Sequence, residues 1–120
     1  MIIVKSSEVK AAESTEEIVA KGKGMVFRQL LVDENMAGGV QAAIVSFNPG
    51  ARLNFHTHAN EQVLYILDGT GIVATEKEER VVTEGAVVVF PPGERHWHGA
   101  TKDHWCTHLA VYRGDAKKSK

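Results

Sequence analysis

From Met25 onward the chain is written in short β-branched runs, MVFRQLLV, GGVQAAIVSF, RLNF, QVLYIL, IVAT, GAVVVF and THLAVY, each closed by turn residues. Turn signals recurring every ~8–12 residues mark an all-β sandwich or barrel. Asn48-Pro49-Gly50, Asp68-Gly69 and Pro91-Pro92-Gly93 supply those turns, through a fixed φ at proline or a tolerated positive one at glycine. Lys77-Glu78-Glu79-Arg80 lies between IVAT and VVTEG and reads as the solvated tip of a hairpin. Upstream, Ser14 or Thr15 caps at most one short N-terminal helical turn running through Ile18 and Ala20, with Glu16 and Glu17 at its positive end. A chain of 120 residues allows one domain. It is expected over residues 1–113, with 114–120 as a flexible tail that has nothing to bury.

With 43% hydrophobic and 24% charged residues, the chain can build a core and is not a disordered one. Its formal net charge of -1 offers no field to gather phosphates, which speaks against a nucleic-acid partner. Met1 to Val4 is too short an apolar run for a membrane span or a signal peptide. Cys106, the single cysteine, has no internal partner, so a reducing, cytoplasmic setting is expected.

Histidine carries the functional signal, because all six lie between His56 and His108. His56 and His58 are two apart in an expected strand and so project from one face, with Gln62 four further on. His96 approaches from a second strand. Three imidazoles and one amide oxygen can thus converge on a divalent metal, leaving open positions on an ion that prefers six ligands. A single bulge would exchange Glu61 for Gln62 on the inner face, and that alternative stays open. His98 shares the parity of His96 and fits either an outer-shell role or a purely structural hydrogen bond.

The stretch GARLNFHTHANEQVLYILDG, Gly50 to Gly69, resembles the first cupin motif, and GAVVVFPPGERHWHGA, Gly85 to Ala100, resembles the second. The resemblance implies a single cupin jelly-roll barrel, a double-stranded β-helix. It also implies one divalent metal ion per chain held by His56, His58, Gln62 and His96. Manganese is the first expectation, with iron, nickel or zinc as alternatives. Gln62 stands where the commonest pattern has glutamate, and Ala100 where the second motif often ends in asparagine. FNPGARLNFHTH, HWHGAT, Thr107-His108 and LAVY narrow the likeness to small manganese cupins that include cupin hydroxynitrile lyases and carboxymuconolactone-decarboxylase-associated cupins. In that group a histidine of the final strand faces the open metal positions, and His108 is the matching residue. The catalytic candidates are therefore His108 and, behind it, His98.

His104, Cys106 and His108 share one face of the last strand, and the resemblance turns that face inward, with Cys106 near the pocket. Ala43 and Val45 should line a small apolar interior with the hydroxyl of Tyr112 at its far end. Arg52 has the parity of His56 and His58, so it either clamps a substrate carboxylate in the pocket or bends out to solvent. These residues imply a metal-dependent enzyme acting on a small hydroxy, carbonyl or carboxylate compound, with lyase chemistry first. A dioxygenase and a non-catalytic ligand-binding or sensor protein are the alternatives. Trp105, Leu109 and Val111 fall on the outward face and, with the resemblance, imply a homodimer.

Overall fold

The computed structural model describes residues 1–15 and 17–114. Eight strands carry the chain: β1 (Ala12–Glu13), β2 (Val26–Val32), β3 (Val40–Phe47), β4 (Gln62–Thr75), β5 (Glu79–Thr83), β6 (Val87–Phe90), β7 (His96–Ala100) and β8 (Cys106–Arg113). Neighbours run β1-β2-β3-β8-β4-β5, and every ladder is antiparallel. β4 belongs to both sheets of the barrel. Its first half pairs with β6 and β8, its second half with β5 and β7.

The switch between sheets lies at Asp68-Gly69, where a turn was expected between QVLYIL and IVAT. The two runs form instead one 14-residue strand whose register slips between Ile66 and Asp68. Gly69, at φ 84°, follows the bulge and pairs with Cys106. A Cβ there would stand 1.9 Å from the carbonyl oxygen of Trp105. Only glycine fits, and the closeness lets Thr70 donate its N–H to that oxygen at 2.9 Å.

The expected helical turn near Ser14 lies partly on Glu16, outside the described residues. Ile18 and Val19 both bond the carbonyl of Thr15 there, which makes a turn. The helical piece, a 3-10 turn, falls earlier at Ser6–Glu8. Gln29 of β2 anchors it by donating to the carbonyls of Ser6 and Val9. The tail expected over 114–120 lies, beyond Gly114, outside the described residues, while the carbonyl of Gly114 itself accepts from Asn60. Glu79 and Arg80 open β5, and the tip Lys77–Arg80 is exposed as expected.

Alternation decides what the barrel encloses. On β8, Cys106, His108 and Ala110 are buried while Thr107, Leu109 and Val111 are only half-buried, so the histidine face looks inward. On β3, Ala43, Val45 and Phe47 do the same. The main core joins Val26, Phe47, Leu53, Ile66, Ala100 and Cys106 at one end of the barrel. The buried imidazoles sit above this apolar floor.

Candidate metal centre and cavity

RLNF does not form a regular strand. Single bridges hold it, Arg52 to Gly99, Leu53 to Val19 and His56 to His96, with a bend at Phe55. The last bridge is reciprocal: each of His56 and His96 donates its N–H to the other's carbonyl at 2.9 Å. This places the two rings 4.5 Å apart between centroids. One ring nitrogen from each of His56, His58 and His96 lies within 4.8 Å of the others, so the three could hold a metal ion.

The hydrogen bonds around these rings suit that role. Nδ1 of His56 lies 2.7 Å from the carbonyl of Asn54, and Nδ1 of His96 lies 2.8 Å from that of Glu94. A carbonyl only accepts, so both Nδ1 atoms carry the proton and both Nε2 atoms are left as lone pairs. Oε1 of Gln62 sits 3.3 Å from Nε2 of His96. With Nε2 of His96 and Oε1 of Gln62 both presenting lone pairs, the donor set fits a shared cation. Burial pushes the His96 imidazole down to about 4 and lowers that of His56, which keeps both neutral at pH 7. Phe90 stacks on His96 at 3.8 Å and fixes its plane. Gln62 is buried and Glu61 exposed, so the alternative in which Glu61 faces inward is corrected.

Behind this cluster, His98 and His108 face each other, Nε2 of His108 lying 3.3 Å from Nδ1 of His98. The outer nitrogens, Nε2 of His98 and Nδ1 of His108, are buried without a hydrogen-bond partner among the described residues. Two neutral imidazoles joined by one hydrogen bond leave one N–H and one lone pair on those outer atoms, whichever tautomer is present. Burial drives the His108 imidazole down to about 4 and that of His98 well below its ordinary value, so the pair is uncharged at neutral pH.

A folded state that holds His108 neutral loses stability as acid protonates the unfolded chain. The gap between 6.5 and about 4 amounts to about 3 kcal/mol for this residue alone. Metal-free protein is therefore expected to lose that much between pH 6.5 and pH 4. Urea titrations over that range check it, and a flat profile would contradict the buried neutral pair.

The imidazoles open into a cavity of about 690 Å³. His56, His58, Gln62, His98 and His108 line it beside the apolar Ala43, Val45, Leu53 and Ala110, and Arg28 and Tyr112 stand in its lining as well. Ala43, Val45 and Tyr112 all line the cavity, Tyr112 standing opposite Gln62 in register rather than at a far end. Arg52 and Cys106 do not line it. The parity count from His56 back to Arg52 fails at the bend at Phe55, and the Arg52 guanidinium lies 4.1 Å over the ring of Trp97. Cys106 packs into the apolar floor, and burial, with the charge of Asp68, pushes its thiol up to about 11, which makes it an inert packing residue. His104 is exposed and pairs with the hydroxyl of Thr101 at 2.8 Å. Sequence reasoning missed Arg28, although alternation along VFRQL puts it on the face of Val26 and Leu30. It also missed the segment Val9–Thr15, which β1 draws across the cavity by pairing with β2.

An antiparallel barrel with a histidine cluster inside it defines a protein whose interior could hold a metal ion beside a small-molecule cavity. The chain belongs to the cupin domain family, which matches residues 43–112. Over 75 residues it is 45% identical to the (R)-mandelonitrile lyase of Granulicella tundricola, covering 60% of this chain and 56% of that relative. It therefore spans about half the length of that curated relative. Among solved structures, a cupin-like protein of Thermotoga maritima shares 30% identity at a TM-score of 0.80, covering 91% of this chain and 80% of that one. A predicted oxalate decarboxylase of the same organism shares 26% at 0.82, covering 93% and 98%. Among the described residues, no helix is long and apolar enough to cross a membrane.

Proposed function

We propose that this chain is a metal-dependent lyase that cleaves a small hydroxy compound to a carbonyl compound. His56, His58, Gln62 and His96 hold the ion, manganese first, and His108 acts as base. The observation that carries this reading is the neutral His98–His108 pair at the metal-binding end of the cavity. A divalent ion there supplies Lewis acidity to a hydroxyl or carbonyl oxygen. The pair takes the hydroxyl proton, the C–O bond becomes a carbonyl, and the neighbouring carbon–carbon bond breaks with its electrons on the leaving group. For a cyanohydrin the leaving cyanide recovers the proton as hydrogen cyanide, and an aldehyde remains. The apolar walls of Ala43, Val45 and Leu53 exclude water from that transfer. The relative's name supports the choice of a cyanohydrin as assay substrate.

Protein loaded with manganese, iron, nickel or zinc is expected to release benzaldehyde from mandelonitrile, and chelation should abolish it. If neither cyanohydrins nor small hydroxy acids react with any of these metals, the protein is a ligand-binding cupin without chemistry.

We infer in addition that the working form is a homodimer. The registers set Tyr65 beside Val87 and Leu109, and Val63 beside Val89 and Val111, on one outward face. Tyr65, Val87 and Val89 are exposed, as is Trp105 just before β8. A contiguous apolar face of this kind is covered in soluble proteins by another chain. Light scattering at micromolar concentration is expected to give the dimer mass, and Val89→Glu to shift it toward the monomer; a monomeric wild type overturns the inference.

A further inference from the structure

The cavity's second polar group is Arg28 with Tyr112, the latter standing opposite Gln62 in the β4–β8 register. Arg28 lies on the Val26 face of β2 and is exposed where it lines the cavity, with register partners running from Arg28 through Val45 to His108. Two strand spacings separate Arg28 from His108, about 10 Å across the sheet. Its guanidinium donates to the hydroxyl of Tyr112, a residue four places beyond His108 on β8 and so about 13 Å along that strand. Both side chains line the cavity. Among the described residues no carboxylate pairs with Arg28, whereas the recorded arginine–glutamate pairs, Arg80 with Glu78 and Arg95 with Glu76, lie elsewhere. Lys10 and Glu13 also reach the lining, so that with Arg28 its Lys, Arg and Glu side chains carry one net positive charge.

We propose that Arg28 and Tyr112 form a carboxylate-binding subsite, so that the natural substrate is a small hydroxy or oxo acid whose carboxylate rests on Arg28 while its hydroxyl or carbonyl oxygen faces the imidazoles. One guanidinium N–H is spent on the Tyr112 oxygen, which orients the fork. The remaining N–H groups and the phenol O–H face the same anion. The clamp that the sequence suggested for Arg52 is supplied by an arginine on a different strand. This inference rests on the reading of the cavity as the substrate site, and it narrows that reading from neutral cyanohydrins to acids.

The test is binding rather than turnover. Calorimetry with 4-(hydroxymethyl)benzoate and with its neutral amide is run on wild type, Arg28→Met, Arg28→Lys and Tyr112→Phe, with and without chelator. Wild type is expected to bind the carboxylate roughly 10- to 100-fold more tightly than the amide, the range of a charge-assisted hydrogen-bond pair. Arg28→Met should erase that preference and leave amide binding unchanged. Arg28→Lys should keep part of it, because the charge stays and the fork is lost. Tyr112→Phe should lower carboxylate binding several-fold. Equal binding of the two probes by wild type, a preference that survives Arg28→Met, or an equal loss of both probes in that variant overturns the subsite, the last by showing that the Arg28–Tyr112 contact only staples β2 to β8. A preference that disappears with chelator while surviving Arg28→Met also overturns it. The preference should persist in His58→Ala, so missing lyase activity with the preference intact sinks the chemistry alone, and the reverse result sinks the subsite alone.

Discussion

His58→Ala is expected to leave a folded protein that has lost most of its metal. The three imidazole nitrogens within 4.8 Å share the ion, and removing one leaves two imidazoles and a neutral amide. Outer-shell changes alone cost about 10- to 100-fold in metal affinity, so loss of a direct ligand should exceed roughly 100-fold. Gln62→Ala should weaken binding less, and Gln62→Glu should strengthen it by placing a negative charge beside His96, 3.3 Å from the present amide oxygen. Elemental analysis after dialysis reads all three. Stoichiometric metal in His58→Ala would remove the assignment.

His108→Ala is expected to keep its metal and to lose about 10²- to 10⁴-fold in turnover, the usual cost of a general base. The hydrogen-bond partner of His108 is His98, and Phe47 packs against its ring at 5.4 Å. Because burial holds its imidazole at about 4, the base is already free of its proton at pH 6. Activity should rise as pH climbs through about 4 and lie flat across neutrality, unlike that of a solvent-exposed histidine, which would rise through about 6.5. A kcat/KM profile with its midpoint near 6.5 would show that the proton acceptor is not this buried pair. Full turnover in His108→Ala would move the role to His98, whose Nε2 is the other outer nitrogen.

Alternation made a large part of this protein legible. A two-residue period along GGVQAAIVSF and CTHLAVY assigns Ala43, Val45, His108 and Tyr112 to one interior, because successive side chains of a strand must leave on opposite faces. His56, His58 and His96 could be grouped from spacing because the two segments meet in a reciprocal bridge that preserves the count. Where the backbone departs from a regular strand the count gives the wrong face. The bend at Phe55 sends Arg52 onto Trp97, and the bulge between Ile66 and Asp68 lies where a turn was expected, in one strand shared by two sheets.

The order of strands along the chain, their inward faces, and a histidine set able to bind a metal were therefore determined by the sequence itself, since they follow from local sterics and periodicity. Three features were decided only by tertiary structure: the pairing of His98 with His108, the retreat of Cys106 into the apolar floor, and the joining of Arg28 to Tyr112 across the cavity. Each depends on residues from different strands, Arg28 and Tyr112 being 84 positions apart. Distances of that kind are set by how the sheets curve and close, and no local pattern in the chain encodes the curvature.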